Sequence, residues 1–308
     1  MEPREIVWHI FAIIGAIQIA FWVLPWVYRF LFTCINLNNY KYGFVLITGS
    51  TDGIGKSFAK EFAEKGFKLL LISRSIQKLE NVKQEICSQY PGNVVEIVAC
   101  DFSNSHKNPE IFYENLYQQI KAYQISVLIN NVGVSNFNPL MMASFKDIEN
   151  IISVNIYPSV FLTHKLIPGF IQRFRETKRK TLIINLSSFV DESVSPGFIT
   201  YSATKRFNNF FSEGLKYEYN EIEVVTVKPG PVYTKLLNQG GKFPLTSSTD
   251  SYVKALLSGL RRGVNHGHWK SKFYYYLTGI WPYLLNILTI RLLMPWFVKL
   301  GWMKKGFE

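Results

Sequence analysis

The sequence predicts an α/β domain built on a doubly wound parallel sheet, with an apolar segment at each end of the chain. The prediction rests on six short, almost wholly apolar runs, the longer helical stretches between them, and a glycine-rich turn directly after the first run. Strands that are buried on both faces are this apolar, and strict alternation of strand and helix is typical of a parallel sheet. Such sheets bind their ligands beyond the carboxyl ends of the strands.

The predicted elements follow one another within a single catalytic domain at residues 43–265. The first helix, Ser57–Lys65, carries small and aromatic apolar residues on one face at helical spacing. Strands are expected at Phe44–Thr48, Lys68–Ser73, Val94–Ala99, Val127–Asn130, Leu182–Leu186 and Val224–Lys228. Further helices are expected at Ile76–Ser88, Glu110–Tyr123, Asp147–Arg173 and Ala203–Tyr219. Pro158 lies inside the fourth of these five helices, and we expect it to kink that helix and help to present Asn155.

The amino-terminal segment, residues 1–33, is predicted to be a membrane anchor. From Ile6 to Tyr28 there are 23 residues without Lys, Arg, Asp or Glu, and about 20 apolar residues suffice to cross a bilayer as a helix. A cleaved signal peptide is the alternative, but its apolar region would be shorter. Arg29 and Lys41 follow the segment, which favours a cytosolic catalytic domain.

The carboxyl-terminal segment, residues 266–308, is also apolar and aromatic. Its apolar part is interrupted by Pro282, Arg291 and Pro295, and an arginine in mid-bilayer is costly. We therefore expect a membrane-associated or substrate-covering segment. A terminal helix packed on the domain is the alternative.

The composition of the chain argues against nucleic-acid binding and metal binding. The 308 residues carry a formal net charge of +12, but the basic residues are scattered and no nucleic-acid-binding motif accompanies them. We therefore expect no nucleic-acid partner. The densest basic cluster, within residues 173–180, is interpreted as a solvated helix end, with contact to anionic lipid or a phosphate-bearing substrate as the alternative. The three cysteines form no disulfide framework, and the histidines have no metal-ligand spacing, so we expect no metal.

The glycine-rich turn predicts a dinucleotide site. It joins the first strand to the first helix, as in Rossmann-type domains, where glycines let the backbone approach a pyrophosphate at the helix amino terminus. The expected cofactor-binding residues of the turn are Gly49, Ser50, Thr51, Asp52, Gly53, Ile54 and Gly55. The second strand ends at Arg74, whose guanidinium suits a ribose 2′-phosphate, so NADPH/NADP+ is the expected cofactor. A surface arginine at the sheet edge is the alternative.

Several further motifs fall in a characteristic order over residues 43 to 235, and with them the chain resembles the short-chain dehydrogenase/reductase family. They are Asp101 after the third strand, Asn130-Asn131-Val132-Gly133, Asn155, Ser187-Ser188, Tyr201-Ser202-Ala203-Thr204-Lys205, and Pro229-Gly230-Pro231-Val232-Tyr233-Thr234. The individual residues within these motifs are similar to those of a membrane-bound branch of the family. That branch contains very-long-chain 3-oxoacyl-CoA reductases and 17β-hydroxysteroid dehydrogenases of types 3 and 12.

The resemblance implies reduction of a lipid ketone by NADPH at the endoplasmic reticulum membrane. The expected reaction converts a 3-oxoacyl-CoA into a 3-hydroxyacyl-CoA during fatty-acid elongation. A steroid ketone or 3-oxosphinganine is the alternative substrate, and a catalytically silent scaffold or lipid-binding protein is the alternative of another class. A homodimer and partners in an elongation complex are also implied. Pro229-Gly230 departs from the branch, which often has Pro-Tyr there, and this leaves the substrate open.

The expected chemistry centres on Tyr201 as the proton donor to the substrate oxygen. Lys205 lies one helical turn later, and we expect its positive charge, with that of the oxidised nicotinamide, to lower the pKa of Tyr201. Ser188 is expected to bond the developing alkoxide, with Ser187 as the alternative. The resemblance adds that Asn155 holds a proton-relay water, although a buried structural role is compatible with this.

The resemblance also assigns the remaining cofactor contacts. Lys205 would hold the nicotinamide ribose, and Asp101 would contact the adenine edge unless it is a turn residue. The other expected contacts are Asn130, Gly133, Pro229, Gly230, Val232 and Thr234. The following loop, with Leu236, Leu237 and Phe243 and a hinge at Gly240-Gly241, is expected to cover an apolar substrate or else simply to pack on the domain.

Overall fold

The computed structural model describes residues 3–135, 138–192, 197–238 and 245–280. The apolar carboxyl-terminal segment beyond residue 280 lies outside the described residues. So do Gly240, Gly241 and Phe243 of the expected lid.

A seven-stranded sheet forms the centre of the domain, and all of its strand pairs are parallel. The strand order is β3-β2-β1-β4-β5-β6-β7, so the chain winds outward in both directions from β1. The strands are β1 (Phe44–Thr48), β2 (Lys68–Ser73), β3 (Val95–Ala99), β4 (Ile125–Asn130), β5 (Thr181–Leu186), β6 (Ile222–Val227) and β7 (Gly263–Asn265). The predicted doubly wound sheet is confirmed, and the short edge strand β7 is an addition to the six predicted strands.

Helices cover both faces of the sheet. The α-helices of the described residues are α1 (Pro3–Phe32), α2 (Gly53–Glu64), α3 (Ile76–Gln89), α4 (Pro109–Ile120), α5 (Phe145–Asn155), α6 (Thr163–Thr177), α7 (Ile199–Glu218), α8 (Lys235–Asn238), α9 (Thr249–Ser258) and α10 (Trp269–Ile280). One core cluster joins α2, α3 and α9 to one face of the sheet, and the other joins α4, α6 and α7 to the opposite face. Strands β1 and β2 are covered on both sides, so their side chains belong alternately to one core cluster and to the other.

The predicted helix over residues 147–173 is divided in two. Helix α5 ends at Asn155, a π-helical turn occupies Pro158–Leu162, and α6 begins at Thr163. Proline has no N–H to donate to the preceding turn, so the hydrogen-bond pattern must change there. The α-helical hydrogen-bond pattern is interrupted at Pro158, so the prediction of one continuous α-helix is wrong, and the kink itself stays a prediction.

Helix α1 meets the domain beside the last strand. The backbone N–H of Ile35 donates to the carbonyl of Leu260 at 2.9 Å, and that of Arg262 donates to the carbonyl of Thr33 at 2.9 Å. These bonds attach the end of α1 at the amino-terminal edge of the sheet, the edge opposite the glycine turn. Within the ranges given above, no helix has the length and apolarity that crossing a membrane requires.

Candidate active site

The glycine turn lies at the carboxyl edge of the sheet, between β1 and α2. Gly49 has φ +68° and Gly53 has φ +54°, which is the left-handed region that favours glycine. A Cβ added at Gly55 would lie 2.2 Å from the carbonyl oxygen of Gly49 and 2.4 Å from Nδ2 of Asn131. Only glycine fits at Gly55, and the turn packs against the amino terminus of α2. This cradle fits the pyrophosphate of a dinucleotide.

Asn131 holds the turn in place. Its Nδ2 donates to the carbonyl oxygens of Thr48 at 2.8 Å and Gly49 at 3.1 Å. In return, Oγ1 of Thr48 accepts from the backbone N–H of Asn131 at 3.0 Å and of Val132 at 3.1 Å. No role was predicted for Asn131 from the sequence, although its place in the Asn-Asn-Val-Gly motif indicated that it belongs to the site.

Other residues of the turn bind neighbouring elements. Oγ1 of Thr51 lies 2.9 Å from Oγ of Ser73 at the end of β2, and Oγ of Ser50 donates to the carbonyl of Ile72 at 3.3 Å. Ile54 packs against the core. These bonds attach the rim of the glycine turn to β2. Arg74, the residue expected to distinguish NADPH from NADH, follows β2 directly.

Asp52 begins α2 and links the turn to the segment after β6. Its Oδ1 accepts from the backbone N–H of Gly53 at 2.8 Å, and its Oδ2 pairs with Nζ of Lys235 at 2.5 Å. A Cβ added at Gly53 would lie 3.2 Å from Cγ2 of Thr234. Thr234 therefore lies close to the glycine turn, and its expected contact with the cofactor stays a prediction.

Two residues at the ends of β2 and β3 flank the expected adenosine site. Arg74 is exposed directly after β2. Oδ1 of Asp101 accepts from the backbone N–H of Ser103 at 3.1 Å and from its hydroxyl at 2.8 Å. Asp101 thus has the turn-forming role that the sequence analysis kept as its alternative, and its contact with adenine stays a prediction.

Three candidate catalytic residues converge beyond β5. Ser188, two residues after the end of β5, lies within hydrogen-bonding range of the hydroxyl of Tyr201 near the start of α7. Lys205 lies one turn further along α7, with Nζ 5.6 Å from the centre of the Tyr201 ring. Its ammonium donates to the carbonyl of Leu186 at 3.1 Å. A hydroxyl, a phenol and an ammonium are therefore aligned at the edge of the sheet that also carries the glycine turn.

The pKa of Tyr201 departs from the expectation. Burial raises it to about 12; the hydrogen bond from Ser188 opposes the shift, and the charge of Asp191 adds to it. Burial also lowers the pKa of Lys205 to about 8, against a smaller opposing effect of Asp191. The expected net lowering of the pKa of Tyr201 is therefore wrong for the protein's own groups, because desolvation is the largest cause and the charge of Asp191 adds to it.

Ser187 is engaged elsewhere, which separates the two candidate serines. Its hydroxyl lies 2.5 Å from Oδ2 of Asp191 and 2.8 Å from the backbone carbonyl of Lys205. Ser188 is therefore the serine that faces the phenol of Tyr201.

Asn155 occupies a structural position next to the catalytic lysine. Its Oδ1 accepts from the backbone N–H of Val134 at 2.8 Å, and its Nδ2 donates to the carbonyl of Val134 at 2.9 Å and to Oγ1 of Thr204 at 3.0 Å. A Cβ added at Gly133 would lie 3.4 Å from both Oδ1 of Asn155 and Nζ of Lys205. The side chain has the buried structural role expected as compatible with a relay, the backbone carbonyl of Asn155 accepts from Nδ2 of Asn208 at 2.9 Å, and the relay role stays a prediction.

The side chain of Asn130 turns away from the cofactor edge. Its Nδ2 donates to Oδ1 of Asn185 at 2.8 Å and to Oγ1 of Thr163 at 3.2 Å, and the residue is buried. These bonds engage the amide nitrogen of Asn130, and its expected contact with the cofactor stays a prediction.

The segment after β6 closes the site from the other side. Pro229 accepts from the backbone N–H of Phe189 at 3.0 Å, and Val232 is buried in a short parallel bridge with Ser247. A Cβ added at Gly230 would lie 2.9 Å from Cα of Ser271 in α10. Gly230 thus permits close packing of α10, a role that the motif did not indicate.

Helix α10 packs beside the catalytic loop. The ring of Tyr274 lies 5.6 Å from that of Phe189, the residue directly after Ser188. Leu236 of the expected lid lies in α8 and is partly buried. The start of the carboxyl-terminal segment therefore packs against the residue that follows Ser188.

Comparison with known proteins identifies the family. The model of the short chain dehydrogenase family matches residues 43–243. The very-long-chain 3-oxoacyl-CoA reductase of Anas platyrhynchos is 35% identical over 71% of this chain and 70% of its own length. The Homo sapiens protein of the same name is 34% identical over 71% and 70%. Hydroxysteroid dehydrogenase-like protein 1 of Gallus gallus is 32% identical over 75% and 70%.

Solved structures agree with the fold. A short-chain dehydrogenase from Sphingobium yanoikuyae in complex with NADPH has a TM-score of 0.65 and 25% identity, covering 86% of this chain and 97% of its own. A 7β-hydroxysteroid dehydrogenase has a TM-score of 0.67 at 21% identity, covering 84% and 99%, and supports the fold alone. The predicted class of enzyme, a nicotinamide-dependent oxidoreductase, is confirmed at the level of the family. The chain belongs to the short chain dehydrogenase family.

Proposed function

We propose that this protein reduces the 3-oxo group of a very-long-chain 3-oxoacyl-CoA with NADPH. The observation that carries the proposal is the hydrogen bond between Ser188 and Tyr201, with the buried ammonium of Lys205 one helical turn away. A neutral phenol with a hydroxyl beside it can protonate and bind the same carbonyl oxygen. The names of the relatives from Anas platyrhynchos and Homo sapiens support the acyl-CoA substrate.

The chain's own groups have separate tasks in this reaction. A reduced nicotinamide, when bound, supplies a hydride to the carbonyl carbon. Tyr201 donates its phenolic proton to the carbonyl oxygen, and Ser188 donates a hydrogen bond to that oxygen as negative charge develops on it. Lys205 stabilises the phenolate that Tyr201 becomes, because its ammonium is held close to the ring.

NADPH is the proposed cofactor, in preference to NADH. Arg74 is exposed at the end of β2, next to the rim of the glycine turn. A guanidinium forms paired, charge-assisted hydrogen bonds with a phosphate, which suits the 2′-phosphate that distinguishes NADPH. The neighbour from Sphingobium yanoikuyae, in complex with NADPH, supports the same choice.

A steroid ketone is the second candidate substrate. It is favoured by the names of two relatives, hydroxysteroid dehydrogenase-like protein 1 of Gallus gallus and putative steroid dehydrogenase 4 of Caenorhabditis elegans, each 32% identical. The aromatic cover of Phe189 and Tyr274 beside Ser188 suits flat rings as well as acyl chains.

A substrate panel tests the proposal. The purified full chain is mixed with NADPH and, in turn, with a very-long-chain 3-oxoacyl-CoA, 3-oxosphinganine and a 17-oxosteroid, and loss of NADPH absorbance is followed. Highest kcat/KM is expected for the acyl-CoA. Preference for the steroid or the sphingoid base would replace the substrate assignment, and NADPH binding without turnover on all three would favour a silent scaffold or lipid-binding protein.

We also propose that residues 1–33 attach the catalytic domain, residues 43–265, to the cytosolic face of the endoplasmic reticulum membrane. In α1, Trp8, Phe11, Ile17, Ile19 and Phe21 are 60–81% exposed. Trp8 and Ile17 lie nine residues apart, which places them on opposite sides of the helix. Exposing apolar side chains on all sides to water costs free energy, at about 25 cal/mol for each Å², and lipid removes this cost.

Membrane attachment is tested by fractionation. The full chain is expected to stay in the membrane pellet after alkaline carbonate extraction, and a chain lacking residues 1–33 is expected to be released. Release of the full chain would contradict attachment through α1. The carboxyl-terminal segment, residues 266–308, is proposed to lie against the same membrane, so partial retention of the shortened chain would indicate that second contact.

The remaining partner proposal is a homodimer formed through α7. Phe207, Phe210 and Tyr217 are 40%, 74% and 82% exposed and lie on one side of this helix. An apolar stripe of this kind favours a self-complementary interface. Light scattering of the detergent-solubilised chain should give a dimer, and Phe210→Glu should give a monomer. Partners in an elongation complex are also proposed, on the resemblance alone.

A further inference from the structure

A buried cluster of charges lies behind the catalytic serine. Nζ of Lys228, directly after β6, lies 3.1 Å from Oδ1 of Asp191 and also pairs with Glu192. The side chains of Lys228 and Asp191 are 2% and 0% exposed, whereas that of Glu192 is 30% exposed. Buried charges require partners, and here one ammonium serves two carboxylates. Arg206 also pairs with Glu192, at 3.5 Å, so the charges of the cluster balance.

Ser187 connects this cluster of buried charges to α7. The hydroxyl of Ser187 lies 2.5 Å from Oδ2 of Asp191 and 2.8 Å from the backbone carbonyl of Lys205. One hydroxyl proton is shared between these two acceptors. The position of the Asp191 carboxylate is thus coupled to the turn of α7 that carries the catalytic lysine.

The same residues join the two loops that form the site. Asp191 ends the short 3-10 helix that Ser188 begins, and Lys228 begins the segment expected to bind the nicotinamide. The backbone also connects these loops, since Phe189 donates to the carbonyl of Pro229 at 3.0 Å. The Lys228–Asp191 pair therefore fixes the loop after β5 against the loop after β6.

We infer that Asp191, anchored by Lys228 and Ser187, is a positioning residue that holds the catalytic loop against the turn of α7 that carries Lys205, and that its charge acts on the ammonium of Lys205. The inference rests on the proposed function, because that function gives Lys205 the task of stabilising the phenolate. Nothing in the Ser-Tyr-Lys motif indicates it.

Electrostatics support the inference. The negative charge of Asp191 raises the pKa of Lys205 and that of Tyr201, acting with burial at Tyr201 and against it at Lys205. Other charged or titratable groups around the pair, within the described part of the chain, are Lys228, Glu192 and Arg206. The neighbouring residues of the α5 side, Asn155 and Gly133, are uncharged. Asp191 is thus the carboxylate that acts on the catalytic pair.

The test compares Asp191→Asn with a matched control. Asn keeps the shape of the side chain and removes its charge. The control is Glu114→Gln, which removes one carboxylate from the surface pair between Glu114 and Lys165 at 2.7 Å, remote from the site. The titration of Lys205 is followed by NMR of the full chain labelled with ε-¹³C lysine, assigned with Lys205→Arg, and the pH dependence of kcat/KM is measured in parallel.

In Asp191→Asn, the pKa of Lys205 should fall by about half a pH unit or more. The alkaline limit of reduction should move to lower pH by a similar amount, and Glu114→Gln should leave both unchanged. An unchanged titration of Lys205 in Asp191→Asn would overturn the inference. If this variant fails to fold, the uncharged pair Asp191→Asn with Lys228→Met replaces it, and a smaller downward shift is required, because a positive charge is removed together with the negative one. The NMR titration needs no substrate, so it tests the inference even if the wild-type protein reduces none of the panel.

Discussion

Nδ2 of Asn131, in the loop after β4, donates a hydrogen bond to the carbonyl oxygen of Gly49, in the loop after β1. The same amide group donates to Thr48, so one side chain holds two consecutive carbonyls of the glycine turn. The shape of the proposed pyrophosphate site thus depends on a residue more than eighty positions further along the chain.

Asn131→Ala should therefore weaken NADPH binding. It leaves two carbonyls of the turn without their donor, and we expect a loss of about 1–2 kcal/mol, or roughly tenfold in Kd. Fluorescence titration with NADPH measures the effect. Asn93→Ala is the control, because Nδ2 of Asn93 also donates to a backbone carbonyl, that of Ala63, but away from the site. Equal NADPH affinity in the two variants would contradict the role of Asn131.

Gly55→Ala should prevent the turn from forming. The added Cβ would lie 2.2 Å from the carbonyl oxygen of Gly49, which is backbone and has no room to move. Gly169→Ala, inside α6 with no heavy atom within 4 Å of the added Cβ, should instead stabilise the fold by about 0.5–1 kcal/mol. Thermal unfolding with and without NADPH distinguishes them. A Gly55→Ala variant with normal NADPH-dependent stabilisation would show that the close contact can relax.

Arg74→Ala should reduce the preference for NADPH over NADH. The variant loses charge-assisted hydrogen bonds to the 2′-phosphate, worth about 1.5–3 kcal/mol, so the ratio of kcat/KM for the two cofactors should fall by roughly 10- to 100-fold. Lys68→Ala, at the opposite end of β2, is the control for loss of one positive charge. If both variants keep the wild-type ratio, Arg74 is a surface residue only.

Tyr201→Phe should abolish reduction while leaving NADPH affinity nearly intact. Loss of the proton donor is expected to lower kcat by about 10²–10⁴-fold. Tyr217→Phe is the matched control, since Tyr217 lies on the same helix and is 82% exposed. The measurements are NADPH oxidation and NADPH titration. Substantial turnover by Tyr201→Phe would mean that another group donates the proton.

The rate of reduction should fall above about pH 8. Burial lowers the pKa of Lys205 to about 8, so its ammonium, which stabilises the phenolate, is lost above that pH. The profile of kcat/KM against pH should be flat below this value and should decline above it. In Lys205→Arg, whose guanidinium does not titrate in this range, the residual activity should lack this decline. A decline that persists in the variant would assign it to another group.

Burial also changes stability in this range. The folded pKa of Lys205 is depressed from its ordinary value of 10.5 to about 8. Between these values the unfolded chain binds more protons at this residue than the folded chain, so its contribution to stability increases as pH rises from about 8 to 10.5.

Features that depend on residues close together in the chain could be predicted from the sequence. Strands β1 and β2 lie where their apolar runs were found, because a run that is apolar on both sides can only be buried on both sides. Gly49 and Gly55 were predicted from their position between a strand and a helix. Tyr201 and Lys205 were indicated by the resemblance, and a spacing of four residues within a helix predicted that their side chains lie one turn apart.

Other features depended on contacts that no local pattern contains. The edge strand β7 is three residues long, too short for a recognisable apolar run. Asn130 and Asn131 are adjacent and chemically identical, yet one faces the core and the other holds the glycine turn. Strand geometry alternates their directions, but which direction meets which partner depends on the neighbouring strands and helices.

By itself, the sequence determined the alternation of elements, the glycine turn and the spacing of the phenol and the ammonium, since each follows from residues close together in the chain. The tertiary structure decided the surroundings of these groups. Burial in the folded domain raises the pKa of Tyr201 rather than lowering it. The fold also brings Asp191 against Lys228 in a buried ion pair, and it directs the hydroxyl of Ser187 to Asp191 instead of to the phenol of Tyr201. Desolvation and charge pairing act through space, so they depend on which distant segments pack together, and that information exists only once the chain has folded.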